Sequence, residues 1–425
     1  MGVFRRSKRT GSAEGVGLDR RTFLAGTAVA GLGVAGLVNV AEVQAAGPYL
    51  GPKSLPSGTL ASGELSAIAG KRPLIKKSFR PPNYETPVDV FNEFYTPNDA
   101  FFVRYHLADI PQVDGATWKL HVGGEGANSE LELTLDDLKR MEAVEVTAVN
   151  QCSGNRRGLS DPHVPGVEWG YGAMGNAKWK GVRVRDVLNK LGVKPEAVEV
   201  VFNGADTGAI PETPDFRKSL PLWKVMDEHT LLAYSMNGQD LPHWNGYPVR
   251  LVVPGWTGTY WMKHVVTLDV VTKPDQNFWM KAAYRIPKGK FPVIDRFTSQ
   301  ETEVNTPITE MVVNSLITNL QDGQKFKVGQ TVEVKGVAWD GGYGIQTVEV
   351  SRDGGKSWSP AALGRNEGKY SWQQWSYRFK ASKKGQETIL AKASNKAGAT
   401  QTFQLIFNPA GYHNNVVSQV SISIA

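Results

Sequence analysis

One cysteine, Cys152, stands in a chain of 425 residues. Without a second thiol the chain cannot close an internal disulfide, so burial and hydrogen bonds alone must hold its sheets together. The length makes that feasible, because a chain of this size can bury two or three cores. The same count excludes a c-type haem, which needs C-x-x-C-H, and a cysteine-held iron–sulfur cluster, which needs several thiolates. A lone thiol is then either packed and inert or reserved for chemistry, and its neighbourhood decides which.

Composition narrows the class. Charged residues make up 21% and the mean hydropathy is −0.30, which excludes a polytopic membrane protein and a wholly disordered chain. The 45 Gly and 24 Pro point to a turn-rich, β-containing protein. A formal charge of +7 without a basic stripe interleaved with aromatics argues for no nucleic acid partner.

Residues 1–46 read as an export leader. Arg20-Arg21 lies in Asp19-Arg20-Arg21-Thr22-Phe23-Leu24, the uncharged run Thr22 to Ala41 follows, and Gln44-Ala45-Ala46 offers small residues for cleavage. This matches a twin-arginine signal, with a retained membrane helix as the competing reading. Twin-arginine export carries folded, cofactor-loaded proteins, so a redox cofactor and a periplasmic location are expected.

Beyond the leader, residues 47–80 are rich in Gly, Pro, Ser and Lys and read as an extended arm. Residues 81–300 read as a mixed α/β body. Leu133 to Met141 predicts a short helix capped by Thr134, and Val184 to Leu191 a second helix ended by Gly192. Trp118 to Val122, Glu145 to Asn150, Val198 to Phe202, Val249 to Val253 and His264 to Val271 read as strands. No regular βαβ alternation appears, which argues against a doubly wound sheet. From residue 305 to 425 short alternating runs recur: Gln330–Val337, Ile345–Ser351, Trp372–Phe379, Thr388–Ser394 and Thr400–Phe407. Arg352-Asp353-Gly354-Gly355-Lys356 signals a tight hairpin. The whole predicts an α+β chain ending in an all-β, immunoglobulin-like sandwich.

Three segments concentrate chemistry. In Asn98 to His106, Arg104 and His106 would share one face of a strand. In Val149 to Gly158, Cys152 leaves a strand for a Ser-Gly-Asn turn followed by Arg156 and Arg157. A turn exposes a side chain, and nearby guanidiniums favour a thiolate, which is either a soft metal ligand or a nucleophile. The arginines suggest an anion held close by. In Gly246 to His264, a glycine-rich turn with hydroxyls, Arg250 and Lys263 has the makings of a phosphate cradle, a pattern also common in ordinary loops.

Together with Gly172 to Ala177, Trp179, Gly181, Leu232 to Gly238, Trp279 to Arg285, Asp340 to Ile345 and Asn408 to Tyr412, these stretches resemble the sulfite oxidase family of molybdenum enzymes, and within it the periplasmic bacterial sulfite dehydrogenases. The resemblance implies a sulfite-oxidase-type molybdopterin-binding domain over 81–300 and a dimerisation domain over 305–425. It implies a molybdenum–molybdopterin cofactor with Cys152 as the protein's thiolate ligand to the metal. Arg104, Arg157 and Tyr284 would line the substrate pocket. His106 and Asn245 would sit beside the cofactor, and Arg250, Lys263 and Thr259 would hold the pterin phosphate.

The expected reaction is sulfite oxidation to sulfate, with electrons leaving to a separate c-type cytochrome, since no added haem domain is evident. The expected assembly is a homodimer, or a heterodimer with a haem subunit. Asn245 stands where the vertebrate branch leads one to expect His. Arg156 receives no catalytic role, and Glu212 and Asp215 read as solvated. A sulfane dehydrogenase subunit of a thiosulfate-oxidising system is the alternative within the family. The methionine sulfoxide-reducing branch generally lacks the sandwich. A periplasmic binding or scaffold protein with an inert Cys is the alternative from another class.

Overall fold

The computed structural model describes residues 65–291 and 297–425. The leader and the first part of the arm lie outside the described residues. The remainder of the arm is not a free extension. It folds as β1 (Leu65–Ser66) and β2 (Leu74–Ser78), which run antiparallel with β3 (Asn83–Glu85) and β4 (Val103–Arg104) in one four-stranded sheet. Its Lys and Ser content hid this, because these strands carry polar residues on a half-buried face. The sheet matters for the site because its last strand ends on Arg104.

Two further sheets build the body. One runs β10-β9-β14-β5-β6, from β5 (Lys119–Gly123), β6 (Leu131–Thr134), β9 (Glu199–Gly204), β10 (Arg217–Pro221) and β14 (Val265–Val271). Only its β14–β5 pairing is parallel. The other runs β12-β11-β8-β7, from β7 (Ala143–Gln151), β8 (Met174–Arg183), β11 (Leu231–Met236) and β12 (Gln239–Asp240), with β13 (Arg250–Val252) paired to β11. β7 and β8 stay in register from Ala143↔Val182 to Gln151↔Met174, a long ladder that delivers Cys152 at its end. On the other side of β8, Gly181 allows a close approach to β11, where a Cβ would lie 2.0 Å from the Leu232 carbonyl.

Helices are short and follow local rules. α1 (Leu135–Arg140) starts at Thr134, whose hydroxyl accepts from the Asp137 N–H while the Asp137 carboxylate accepts from the Thr134 N–H, a reciprocal cap. α2 (Val184–Leu191) buries Val184, Val187, Leu188 and Leu191, one stripe at helical spacing, and ends at Gly192 with φ 75°. α3 (Leu222–Val225) and α4 (Phe278–Lys281) are single turns. β15 (Arg285–Pro287) pairs with β16 (Asn305–Pro307) and leads into the C-terminal part.

That part is a sandwich of two sheets. One runs β17 (Asn314–Ile317), β19 (Thr331–Trp339), β23 (Gln373–Lys380), β22 (Ala362–Leu363). The other runs β18 (Lys325–Phe326), β25 (Ser418–Ile424), β24 (Gly385–Asn395), β20 (Ile345–Ser351), β21 (Ser359–Pro360). β25 alternates buried and half-buried along its whole length, the pattern of a strand with one face in a core. Val334, Val348, Ile389 and Ile422 meet between the sheets. The fold is therefore α+β with an all-β C-terminal sandwich.

Two expectations change. Thr400–Phe407 is not a strand. The Gln401 side chain is buried and bonds Asn314, Ser315 and the Ala393 N–H, so side-chain bonds replace a backbone ladder there, with only isolated bridges at Thr400 and Thr402. Residues 352–358 form a longer loop rather than a tight turn, organised by Asp353, whose carboxylate accepts from Ser351, Lys356 and Ser357. Its acceptor load pulls the Asp353 carboxyl well below the usual range.

Candidate active site

Cys152 follows β7 directly. Its N–H donates to the Ala173 carbonyl at 2.9 Å and its carbonyl accepts from Asn155 N–H at 2.9 Å, so a tight turn fixes the thiol. Gly154 keeps that turn open, since a Cβ there would lie 2.5 Å from the Arg157 guanidinium. The thiol is free and 7% exposed, on the wall of a cavity of about 610 Å³.

Arg104, His106, Asn245, Arg250, Thr259, Lys263 and Tyr284 line the same cavity. They come from four separate stretches of chain, with Arg104 on β4, Arg250 on β13 and the others in the connections. Arg157 does not line it. Arg157 lies in an outer mouth of about 1640 Å³, which Arg104, His106 and Tyr284 also line, so these three stand where the mouth meets the inner cavity. Glu212 and Asp215 are exposed and line neither.

The junction is tightly bonded. The Tyr284 hydroxyl is hydrogen-bonded to His106 Nε2 and accepts from Arg104 Nη2 at 3.4 Å. The Tyr284 backbone is left-handed, φ 58°, a costly state for an aromatic residue that the surrounding bonds must hold. Its ring stacks on Tyr412 of the C-terminal part, with centroids 5.5 Å apart and planes 11° apart. The Arg157 guanidinium sits 5.3 Å from the Tyr412 ring centre and donates from Nε to the Ala410 carbonyl at 2.7 Å. Residues 410–412 therefore form part of the mouth.

Electrostatics at the junction follow from burial among cations. Burial, reinforced by Arg104, Lys263 and Lys218, pushes His106 well below its usual value, so its ring is neutral. Burial raises the Tyr284 phenol, which stays protonated. Burial opposes the charge on Arg104, yet Tyr284 and Cys152 more than offset it and its pKa is raised.

The inner end is a cluster of cations. Arg250 is 3% exposed and donates to the carbonyls of Asn245 at 3.1 Å and Trp261 at 3.0 Å. Burial pulls its pKa down to about 9. Lys263 donates to the Arg104 carbonyl, and its ammonium lies 3.0 Å from the Tyr105 ring centre. Burial pushes Lys263 well down, Asp206 opposes this, and Arg250 and Arg104 add to it. Behind it, His264 Nδ1 lies 2.7 Å from the Tyr247 carbonyl and Nε2 lies 2.7 Å from the Tyr105 hydroxyl. A carbonyl only accepts, so Nδ1 carries the proton and Tyr105 donates to Nε2. Burial holds His264 near 3, which keeps it neutral and fixes this tautomer.

Four buried polar atoms on the cavity wall have no partner: Arg104 Nε, Asn150 Oδ1, Arg250 Nε and Thr259 Oγ1. Buried polar atoms are normally satisfied, so a wall with donors and an acceptor left open fits a polar, anionic guest. Among the described residues no group of three His, Cys, Asp or Glu could hold a metal. Cys152 by itself offers one soft ligand, which suits a metal that arrives with most of its ligands already attached.

Residues 106–279 match the oxidoreductase molybdopterin binding domain, and residues 305–425 match the Mo-co oxidoreductase dimerisation domain. Sulfite oxidase of Arabidopsis thaliana is 30% identical over 368 residues, covering 81% of this chain and 92% of that protein. The chain belongs to the sulfite oxidase family. It carries a molybdenum–molybdopterin cofactor, and the open polar wall beside Cys152 fits that group. Mitochondrial sulfite oxidase of Rattus norvegicus is 35% identical over 362 residues, covering 82% of this chain. The chain spans 65% of the length of that relative. Among solved structures, the sulfane dehydrogenase SoxCD from Paracoccus pantotrophus superposes with a TM-score of 0.69 at 24% identity, over 87% of this chain and 90% of that one, which shows a shared fold.

Sequence reasoning missed several residues of the site. Tyr412 was legible only as part of a resembling stretch, with no signal that it reaches Tyr284. Tyr105 and His264 fell inside stretches singled out for their chemistry but were given no role, and Lys218 lies on ordinary strand sequence. Lys71 sits in the segment read as an arm.

Proposed function

We propose that the protein oxidises sulfite to sulfate at this cavity and passes the electrons to a separate c-type cytochrome. The observation that carries the reading is the junction itself: Arg104, His106 and Tyr284 stand between an inner cavity bearing Cys152 and a mouth bearing Arg157. Cys152 would be the thiolate ligand to molybdenum, with Arg250, Lys263 and Thr259 holding the pterin phosphate and His106 and Asn245 alongside. When bound, the cofactor supplies the two-electron redox chemistry.

The chain's residues do the rest. A sulfur oxyanion entering the mouth meets two guanidiniums, Arg157 outside and Arg104 inside, whose planar forks match its oxygens. Neutral His106 adds no repulsion or attraction of its own and holds the Tyr284 hydroxyl. That hydroxyl keeps its proton and can present it to an oxygen of the bound anion. Burial around Arg104, His106 and Tyr284 strengthens the inner of these contacts.

A twin-arginine leader and periplasmic location belong to the same proposal, as does a dimer, or a pairing with a haem subunit, through the C-terminal part. Oxidation of a sulfane sulfur, the activity for which the similarly folded SoxCD is named, is the second reading. Protein from a host able to make the cofactor is expected to reduce cytochrome c or ferricyanide when sulfite is added. Activity with a sulfane donor and none with sulfite would select the second reading. Metal-free protein inactive with both would select a scaffold.

A further inference from the structure

Lys71 lies between β1 and β2, ahead of the matched domain, just after Gly70 in a left-handed turn with φ 73°. Its side chain is buried, 7% exposed. All three of its ammonium protons have acceptors: the Asn98 carbonyl at 2.5 Å, the Phe101 carbonyl at 3.0 Å and Asn245 Oδ1 at 2.6 Å. Asn245 Nδ2 in turn donates to the Phe102 carbonyl at 3.1 Å, and the Asn245 carbonyl accepts from Arg250. Phe101, Phe102, Asn245 and Arg250 all line the inner cavity. Trp244 Nε1 donates to the Ala69 carbonyl and Arg72 pairs with Asp99, so the segment is clamped on both sides of Lys71.

Two buried cations thus share one asparagine, Lys71 on its side chain and Arg250 on its carbonyl. The three acceptors of Lys71 are neutral. They satisfy its protons but bring no charge, and a buried charge without a counter-charge is costly. Burial lowers Lys71 to about 7, Asp99 opposes this, and Arg250 lowers it further. An anion at Arg250 would relieve both.

We propose that Lys71 is a positioning residue of the cofactor cradle: it orients Asn245 and, through it, Arg250, and its charge strengthens the hold on the cofactor's anionic end. This rests on the reading of Arg250 and Lys263 as the anion-binding pair. Asn245 is then set by a lysine from the segment preceding the family domain.

The test compares protein with and without cofactor, made in hosts able and unable to synthesise it, for wild type and the variants Lys71→Met, Lys71→Arg, Asn245→Ala and Arg250→Met. The readouts are thermal midpoints and molybdenum and pterin content after extensive dilution. Ligand binding raises the midpoint of the loaded form, so the gap between the two forms reports cofactor affinity. Lys71→Met is expected to narrow the gap and to retain cofactor about tenfold less well. Lys71→Arg should restore both, and Asn245→Ala, which keeps the ammonium, should narrow the gap too. A strut that only holds residues 98–102 would lower both midpoints equally. An unchanged gap in Lys71→Met overturns the proposal. If Arg250→Met also leaves the gap unchanged, the cradle reading fails with it; a gap that narrows in Arg250→Met alone isolates the failure to Lys71.

Discussion

Cys152, Arg104 and Tyr284 become a site because hydrogen bonds with the surrounding chain hold each in place. The thiol is fixed by two backbone bonds of its turn, and the Tyr284 hydroxyl by Arg104 and His106. These residues were legible because their types are rare together: a lone thiol, arginines two and five residues from a His and a Cys, a lysine beyond a glycine-rich turn. Lys218 was not legible, since a lysine on a strand reads as solvated. It is in fact buried, with its ammonium 2.8 Å from the Trp279 carbonyl and 5.3 Å from the Tyr284 ring centre. Burial, helped by Arg285, lowers it from 10.5 to about 7. Between those values the unfolded chain holds a proton that the folded protein has shed, so stability rises with pH across that window, and the penalty of the buried charge is fully present below it. Lys71 adds a contribution of the same sign. Urea midpoints measured from pH 7 to 10 are expected to climb in the wild type and to climb less in Lys218→Met. Parallel curves would mean that Lys218 is not buried as described.

The elements that carry the site were readable where a local rule governs them. The Thr134 cap, the Gly192 stop and the strand ending at Cys152 each follow from a few neighbouring residues. The arm was misread because β2 carries Lys and Ser on a half-buried face, and Thr400–Phe407 because its structure depends on partners far along the chain, Gln401 bonding Asn314 and Ser315. Close approaches between elements lie between these cases. Gly172, quoted in the family resemblance, faces the chain just beyond β3, where a Cβ would lie 1.9 Å from the Thr86 carbonyl. The Thr86 N–H also donates to the Gly172 carbonyl, so the two strands of chain cannot part without losing that bond. Gly172→Ala is expected to cost about 3 kcal/mol in urea unfolding. A loss within about 0.5 kcal/mol, the range of ordinary surface changes, would contradict the packing.

At the scale of the molecule, the body and the sandwich share a core as well as a chain. Val149 and Met174 of the body pack with Leu316, Val337 and Trp339 of the sandwich, and Trp339 donates to the Gln151 side chain beside Cys152. Arg156, set aside in the sequence, crosses this boundary. It is 2% exposed, donates to the Val416 carbonyl at 2.9 Å and the Ser315 carbonyl at 2.7 Å, and its own carbonyl accepts from Asn414. The turn that presents Cys152 and Arg157 is therefore anchored in the sandwich. Arg156→Met would remove both of these bonds, leaving the Val416 carbonyl only its 3.3 Å bond from Gln401, and should cost about 3 kcal/mol in the same assay, with Arg156→Lys recovering part of it. Equal stability in all three proteins would detach the turn from the sandwich. This coupling was invisible in the sequence, because its two sides are more than a hundred and fifty residues apart.

The central claim is that the Cys152 sulfur binds molybdenum in the cavity. X-ray absorption at the molybdenum edge, recorded on wild type and on Cys152→Ser loaded with cofactor, tests it directly. The account predicts that the variant's metal loses a sulfur neighbour and that sulfite-dependent electron transfer disappears with it. An identical metal environment in the two proteins would contradict it.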